Sequence, residues 1–136
     1  MEFMLTKSQE LLKQMITTFA QNEVKPLAAE IDEEERFPVE TVEKMGKAGI
    51  FGINIPVQYG GTGADQIMYA TAVEELSKVC GTTGVILSAH ASLGVSPILE
   101  FGTEEQKQKY LPKMATGEWL GAFGLTEAGA GTDAAG

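Results

Sequence analysis

The stretch Gly121-Ala-Phe-Gly-Leu-Thr-Glu-Ala-Gly-Ala-Gly-Thr-Asp-Ala-Ala-Gly136 decides between two folds. Its apolar beginning, Leu120 to Leu125, reads as a strand of small and apolar residues. Thr126-Glu127 ends that run. A loop of Gly and Ala follows, with one hydroxyl (Thr132) and one carboxylate (Asp133) in it. Glycines allow φ > 0 and let main chain approach a ligand closely, and unpaired loop N–H groups can hold an anion. Gly129-Ala-Gly131-Thr-Asp-Ala134 also satisfies the loose dinucleotide pattern G-x-G-x-x-A. That pattern needs a βαβ unit, with the turn opening a helix and an acidic residue about twenty positions on. The residues upstream therefore decide the fold, and their period is helical.

Directly before the stretch, Thr103-Glu-Glu-Gln106 is a capping box that starts a helix. Tyr110, Leu111 and Met114 face inward there, Lys107, Lys109 and Lys113 face outward, and Pro112 and Gly117 end the run. Further back, Val85 to about Phe101 is apolar around most of its circumference, as a buried helix is. Its polar exceptions are Ser88, Ser92, Ser96, His90 and the terminal Glu100. The small serines leave room for a neighbouring helix or a slender ligand. His90 has no metal-ligand partner at helical spacing and reads as a hydrogen-bonded core or edge histidine.

A third helix spans about Ala64 to Val79, preceded by the turn cluster Gln58-Tyr-Gly-Gly-Thr-Gly63 and by Ile50-Phe-Gly-Ile-Asn-Ile-Pro56, a short extended apolar passage. Phe37-Pro38 opens a second helix with Gly49 as its C′ residue. The first helix starts at the capping box Thr6-Lys-Ser-Gln9 and carries Leu12, Met15, Ile16 and Phe19 on through Ile31, with a kink at Pro26. The acidic run Asp32-Glu-Glu-Glu-Arg36 is a solvated helix end. The expected fold class is all-α: a helical domain of five to six helices over residues 1–117, then the first strand of a β domain over 118–136.

Composition narrows the partners. With 136 residues, 43% hydrophobic and 21% charged, the chain can bury a sizeable core and is not disordered. A net charge of −9 argues against a nucleic-acid partner, which needs a basic face. Cys80 is the one cysteine, so no internal disulfide and no cysteine metal site is expected, in keeping with a reducing compartment. Met1-Glu-Phe-Met-Leu5 lacks the basic start and long apolar run of a signal peptide. No uninterrupted apolar run reaches 18 residues, so no membrane span is expected.

Gly124-Leu-Thr-Glu-Ala-Gly-Ala-Gly-Thr-Asp-Ala-Ala-Gly136 resembles the signature of the acyl-CoA dehydrogenases, the short-chain (butyryl-CoA) branch in particular. Tyr59-Gly-Gly61, Val73-Glu-Glu-Leu-Ser77, Gly84-Val-Ile-Leu-Ser-Ala-His90 and Phe101-Gly-Thr-Glu-Glu-Gln-Lys-Gln-Lys109 are similar to stretches of that family in the same order. The resemblance spans all 136 residues. Ala128 stands where many members have Pro, which loosens the turn without touching the chemistry.

The resemblance implies oxidation of an acyl-CoA to its trans-2-enoyl-CoA. A carboxylate takes the α-proton while hydride passes from the β-carbon to N5 of FAD. It implies a helical domain, a middle β domain and a C-terminal helical bundle, of which this chain resembles the first and the start of the second. Phe123, Gly124, Leu125 and Thr126 are implied to lie along the isoalloxazine, with the Leu125 backbone and the Thr126 amide and hydroxyl on its pyrimidine edge. Gly131 and Thr132 are implied near the FAD pyrophosphate, Thr132 also near the pantetheine arm of the substrate. The acyl chain would run between the third and fourth helices, past Ser88 and Ser92. No catalytic residue is expected in this chain, since the general-base Glu of the family lies in the C-terminal bundle; Glu127 is assigned to loop shape. The implied partners are electron-transferring flavoprotein and further copies of the protein, as a dimer or tetramer. The implied location is the bacterial cytoplasm or the mitochondrial matrix. Two readings stay open beside this one: an acyl-CoA oxidase or enoyl-CoA reductase of the same family, and a non-enzymatic helical interaction module.

Overall fold

A computed structural model describes residues 4–135. Met1, Glu2 and Phe3, on which the signal-peptide reading drew, and Gly136, the last residue of the signature, lie outside the described residues. The helical segments are α1 (Lys7–Phe19), α2 (Lys25–Glu33), α3 (Val39–Lys47), α4 (Gln66–Ser77), α5 (Gly81–Ser88), α6 (Ser96–Phe101) and α7 (Glu104–Ala115). The fold is all-α, as expected.

Two pairs of segments are single rods. α1 runs into α2 through a π-helical turn, Ala20–Val24, and α5 runs into α6 through another, Ala89–Val95. Both turns have one physical cause. Each precedes an X-Pro pair, Lys25-Pro26 and Ser96-Pro97. A proline ring clashes with the carbonyl four residues back and cannot donate to it. The chain widens instead, so that Lys25 N–H bonds Ala20 O and Ser96 N–H bonds Ala91 O, five residues back. The expected irregularity at Pro26 is thus a widened turn. The second, at Pro97, mirrors it.

Both capping boxes form as expected, Thr6 with Gln9 and Thr103 with Gln106. Each satisfies otherwise orphaned N–H groups, a contribution of about 1 kcal/mol per cap. Gly49 is the αL residue after α3, at φ 72°. Three boundaries differ from expectation. The rod through His90 starts at Gly81 rather than Val85. Pro112 sits inside α7, which ends three residues later, with Gly117 turning the chain away at φ 76°. Ile50 to Pro56 is not extended: it forms a 3₁₀ turn, Ile50–Gly52, with Ile53 N–H on Ile50 O and Ile55 N–H on Gly52 O. The turn that follows caps it, with Thr62, Ala64 and Gly63 N–H on the carbonyls of Gly52, Ile53 and Ile55 at 2.9, 2.8 and 2.9 Å. A coiled path instead buries Ile50, Phe51, Ile53 and Ile55.

α4 packs between α1 and α5. One core cluster gathers Ile16, Ala20, Val24, Met45, Phe51, Leu76 and Leu87. A second gathers Ile55, Tyr59, Val95, Leu111 and Met114 under α7. Gly84 lies so close to Ser77 that a Cβ would collide with the serine side chain, which fixes the α4–α5 contact. The Gly81–Phe101 rod, 21 residues with an 18-residue window of mean hydropathy 1.3, matches a bilayer-crossing helix in length and composition. Here its Leu87, His90, Ala91 and Val95 pack inside the protein instead. The acidic run after α2 is a solvated helix end in which Arg36 bridges Glu30 at 2.7 Å and Glu40 at 3.0 Å.

Candidate functional site

Residues 119–126 continue away from α7 in a path with no ladder partner among the described residues. The expected strand is therefore not formed here. A strand exists through its neighbour's hydrogen bonds, and the one bridge in this region is local, between Glu127 and Ala130 (3.0 and 3.2 Å). The Rossmann alternative needs a βαβ unit, and the elements described before Gly129-Ala-Gly131 are helical.

The segment is nonetheless held. At its start, Trp119 N–H donates to Lys113 O at 3.1 Å, and Lys113 Nζ lies 4.5 Å from the Trp119 ring centroid. Two residues on, Gly121 N–H donates to Nδ1 of His90 at 3.0 Å. Gly121 also lies against Gly94: a Cβ on Gly94 would stand 2.5 Å from the Gly121 Cα, and one on Gly121 would stand 2.7 Å from the Gly94 Cα and 2.8 Å from the Met114 Cε. The main chain thus crosses the α5–α6 rod at the place where its π turn falls.

That turn carries its own polar arrangement. The Ala91 carbonyl receives Ser96 N–H, Ser96 Oγ at 3.0 Å and Asn54 Nδ2 at 3.3 Å. His90 is 1% exposed and tilts onto Phe51, centroids 4.8 Å apart. Burial pushes its pKa down to about 4, so its imidazole is neutral at neutral pH. The Gly121 donor leaves Nδ1 as acceptor and puts the proton on Nε2, which is buried without a partner. The expectation of a hydrogen-bonded core histidine holds, with a main-chain donor 31 residues away as its partner.

Beyond Gly121 the implied cofactor residues lie at the surface. Phe123 and Leu125 are 57% and 53% exposed, large for apolar side chains. Gly124, Thr126, Gly131 and Thr132 are exposed too. None of Gly124, Gly129 and Gly131 takes a left-handed φ, and each has open space where a Cβ would stand. Ser88 and Ser92 have their partners inside the helices: Tyr69 Oη donates to Ser88 Oγ at 3.4 Å and Ser92 Oγ donates to Ser88 O at 2.7 Å. They do not bond the 123–132 segment, although Gly121 brings its start to the turn that contains Ser92. An apolar groove of about 590 Å³ lies elsewhere, between α1 (Leu11, Met15) and the chain from Ala48 to Met68. Neither Gly94 nor Gly121 is marked as a contact point by helical or strand periodicity. A lone Gly inside an apolar helix was the available signal for the first.

An exposed aromatic and aliphatic pair next to a threonine hydroxyl, on a segment fastened to a helical core, is suited to a flat ligand with a polar edge. A family model for the acyl-CoA dehydrogenase N-terminal domain matches residues 6–118. The chain belongs to the acyl-CoA dehydrogenase family. It is 65% identical over 133 residues to the "Acyl-CoA dehydrogenase, short-chain specific" of Clostridium acetobutylicum, covering 98% of this chain and 35% of that protein. Among solved structures, it is 51% identical to a chain of a structure described as "Electron transferring flavoprotein of Acidaminococcus fermentans: Towards a mechanism of flavin-based electron bifurcation" (TM-score 0.94, 98% of this chain, 35% of that one). It is 37% identical to an acyl-CoA dehydrogenase complexed with FAD from Bacillus anthracis (TM-score 0.88, 96% of this chain, 22% of that one). The chain therefore spans about a third of the length of the curated relative.

Proposed function

We propose that this chain is the helical N-terminal portion of an FAD-dependent dehydrogenase that oxidises a short-chain acyl-CoA, such as butyryl-CoA, to the trans-2-enoyl-CoA. Family membership and the short-chain relative support the reaction class. The observation that carries the reading is the fastened, exposed Phe123–Thr126 segment. In this reading residues 1–117 are the helical domain and residues 118–136 begin a middle β domain.

FAD, when bound, supplies the acceptor for the hydride leaving the β-carbon. The chain's own residues bind and orient. Phe123 and Leu125 cover an apolar face, and Gly124 between them leaves main chain uncovered. The Leu125 backbone with the Thr126 amide and hydroxyl meets the pyrimidine edge. Donors there favour the state in which that edge gains negative charge, which is electrostatic preorganisation. Gly131 and Thr132 serve the pyrophosphate and the pantetheine arm. Ser88 and Ser92 lie on the substrate side, and the general base is a Glu of the complete polypeptide. Electron-transferring flavoprotein is the proposed acceptor. The likeness to a chain from a structure of that description supports a link to such electron transfer. The complete protein is proposed to be a dimer or tetramer in the bacterial cytoplasm or the mitochondrial matrix.

The test uses the complete polypeptide that contains this chain. It is expected to purify yellow and to reduce an artificial acceptor with butyryl-CoA. A colourless protein with no turnover would favour the interaction-module reading, and turnover only in the enoyl-to-acyl direction would favour the reductase. The 136 residues alone, given FAD, butyryl-CoA and the acceptor, are expected to show no turnover. Activity above background would contradict the assignment of the base elsewhere.

A further inference from the structure

We propose that His90 is a positioning residue for the flavin-contacting segment: its Nδ1 holds the Gly121 N–H and so sets where Phe123 to Thr126 lie. The inference rests on the assignment of those residues to the flavin made above.

Three observations carry it. The first is placement. A residue advances the chain by at most about 3.6 Å, so Phe123 lies within roughly 7 Å of the Gly121 anchor, Cα to Cα. The next hydrogen-bonded point along the chain, Glu127 with Ala130, is internal to the loop. Gly121 is therefore the last place where the helical core dictates the position of this segment. The second is rigidity. The His90 ring is 1% exposed and wedged against Phe51, and the Gly94–Gly121 approach leaves no slack for the main chain to slide. The third is cost. Burying an imidazole desolvates two ring nitrogens, which burying leucine would not. The Nδ1 acceptor is what an apolar residue cannot supply. Gly121 N–H has no ladder partner among the described residues, and the imidazole nitrogen stands in for one.

The π turn is part of the device. Within that turn His90 and Gly94, four residues apart, share the face of the rod that meets Gly121.

The test compares His90→Leu with His90→Asn in the complete flavoprotein. Asparagine keeps an acceptor close to the Nδ1 position, whereas leucine keeps only bulk. The Leu variant is expected to raise the FAD dissociation constant about tenfold, as leaving a buried donor unpaired would. It should also shift the visible flavin band and speed amide exchange at Gly121. The Asn variant is expected to recover flavin affinity to within about threefold of wild type, because it keeps the hydrogen bond. Both variants lose the ring on Phe51, so a purely structural role would make them alike. Equal FAD affinity and equal Gly121 exchange in the two would overturn the proposal. A wild-type protein that binds no flavin would sink the functional reading instead, and the anchoring would then be judged on Gly121 exchange in the two variants alone.

Discussion

The Gly121 N–H and the His90 Nδ1 stand 3.0 Å apart, and that bond ties the glycine-rich segment to the most buried part of the Gly81–Phe101 rod. It requires a neutral ring. The histidine pKa, ordinarily 6.5, is pushed down to about 4 by burial, and the ring and main-chain groups around it (Phe51, Met114, Gly121) carry no charge. Between those two values the unfolded chain binds a proton that the native one does not. Stability should therefore rise with pH through this window, with His90 contributing its full share above about pH 6.5 and losing it as pH falls toward 4. The size is about 3 kcal/mol, from about 1.4 kcal/mol per pH unit. Urea unfolding at pH 5 and pH 7 checks it. His90→Asn should lose most of the slope, and an unchanged slope would refute the assignment.

Gly94 tests the contact rather than the bond. In Gly94→Ala the new methyl meets the Gly121 main chain at about 2.5 Å, and neither partner is a flexible side-chain end. The segment should lift. Trp119 is the single tryptophan, and its ring rests by Lys113 and Tyr110. Its emission should move to the red, and proteolysis within 118–126 should become several-fold faster, the cost being of the order of 1–3 kcal/mol. Emission and cleavage like wild type would contradict the close approach.

Glu75 is a separate test of the core. Its carboxylate is nearly buried, accepting from Lys78 Nζ at 2.8 Å and Thr17 Oγ1 at 3.0 Å, with Lys13 at 3.7 Å. Its pKa is lowered chiefly by the Lys78 bond, opposed by burial and helped by the Thr17 bond. A depressed carboxylate stabilises above its unfolded pKa and loses that as pH falls through the folded one. Glu75→Ala should cost about 1–3 kcal/mol at pH 7, with a gap from wild type that narrows below pH 4.5, the ordinary value. A gap constant down to pH 3 would show that the charge is irrelevant.

Thr126 carries the electrostatic part of the proposed chemistry. In the complete enzyme Thr126→Val removes a hydroxyl donor and keeps the shape. Turnover of butyryl-CoA should fall about a hundredfold to a thousandfold, the range for losing one preorganised donor. Stability should change little, since the side chain is exposed. Rapid-mixing measurement of the reductive step decides it, and an undiminished rate would remove Thr126 from that role.

The helices were legible because their causes are local. Thr6-x-x-Gln9 and Thr103-x-x-Gln106 cap as their spacing requires, and Gly49 takes the αL turn. The misreadings came from elements whose form depends on distant residues. Ile50–Pro56 has strand composition, but its carbonyls are taken by the turn residues Thr62, Gly63 and Ala64 and not by a strand. The 119–125 run needs a ladder that no described residue provides. Pro112 stays inside a helix that propensity alone would end. The docking of Gly121 on His90 and Gly94 joins residues more than 25 positions apart, and no periodicity reports such a contact. The glycine-rich loop was readable as a motif through its resemblance to a family. Its anchor was not readable, because hydrogen-bond partners in a core are set by packing.

The central claim is tested most directly by adding butyryl-CoA without oxygen to the complete flavoprotein and following its visible flavin band. The band is expected to bleach within the mixing time of a stopped-flow instrument or soon after, with crotonyl-CoA formed in equal amount to the flavin reduced. An unchanged band, in a protein shown to contain FAD, would contradict the account.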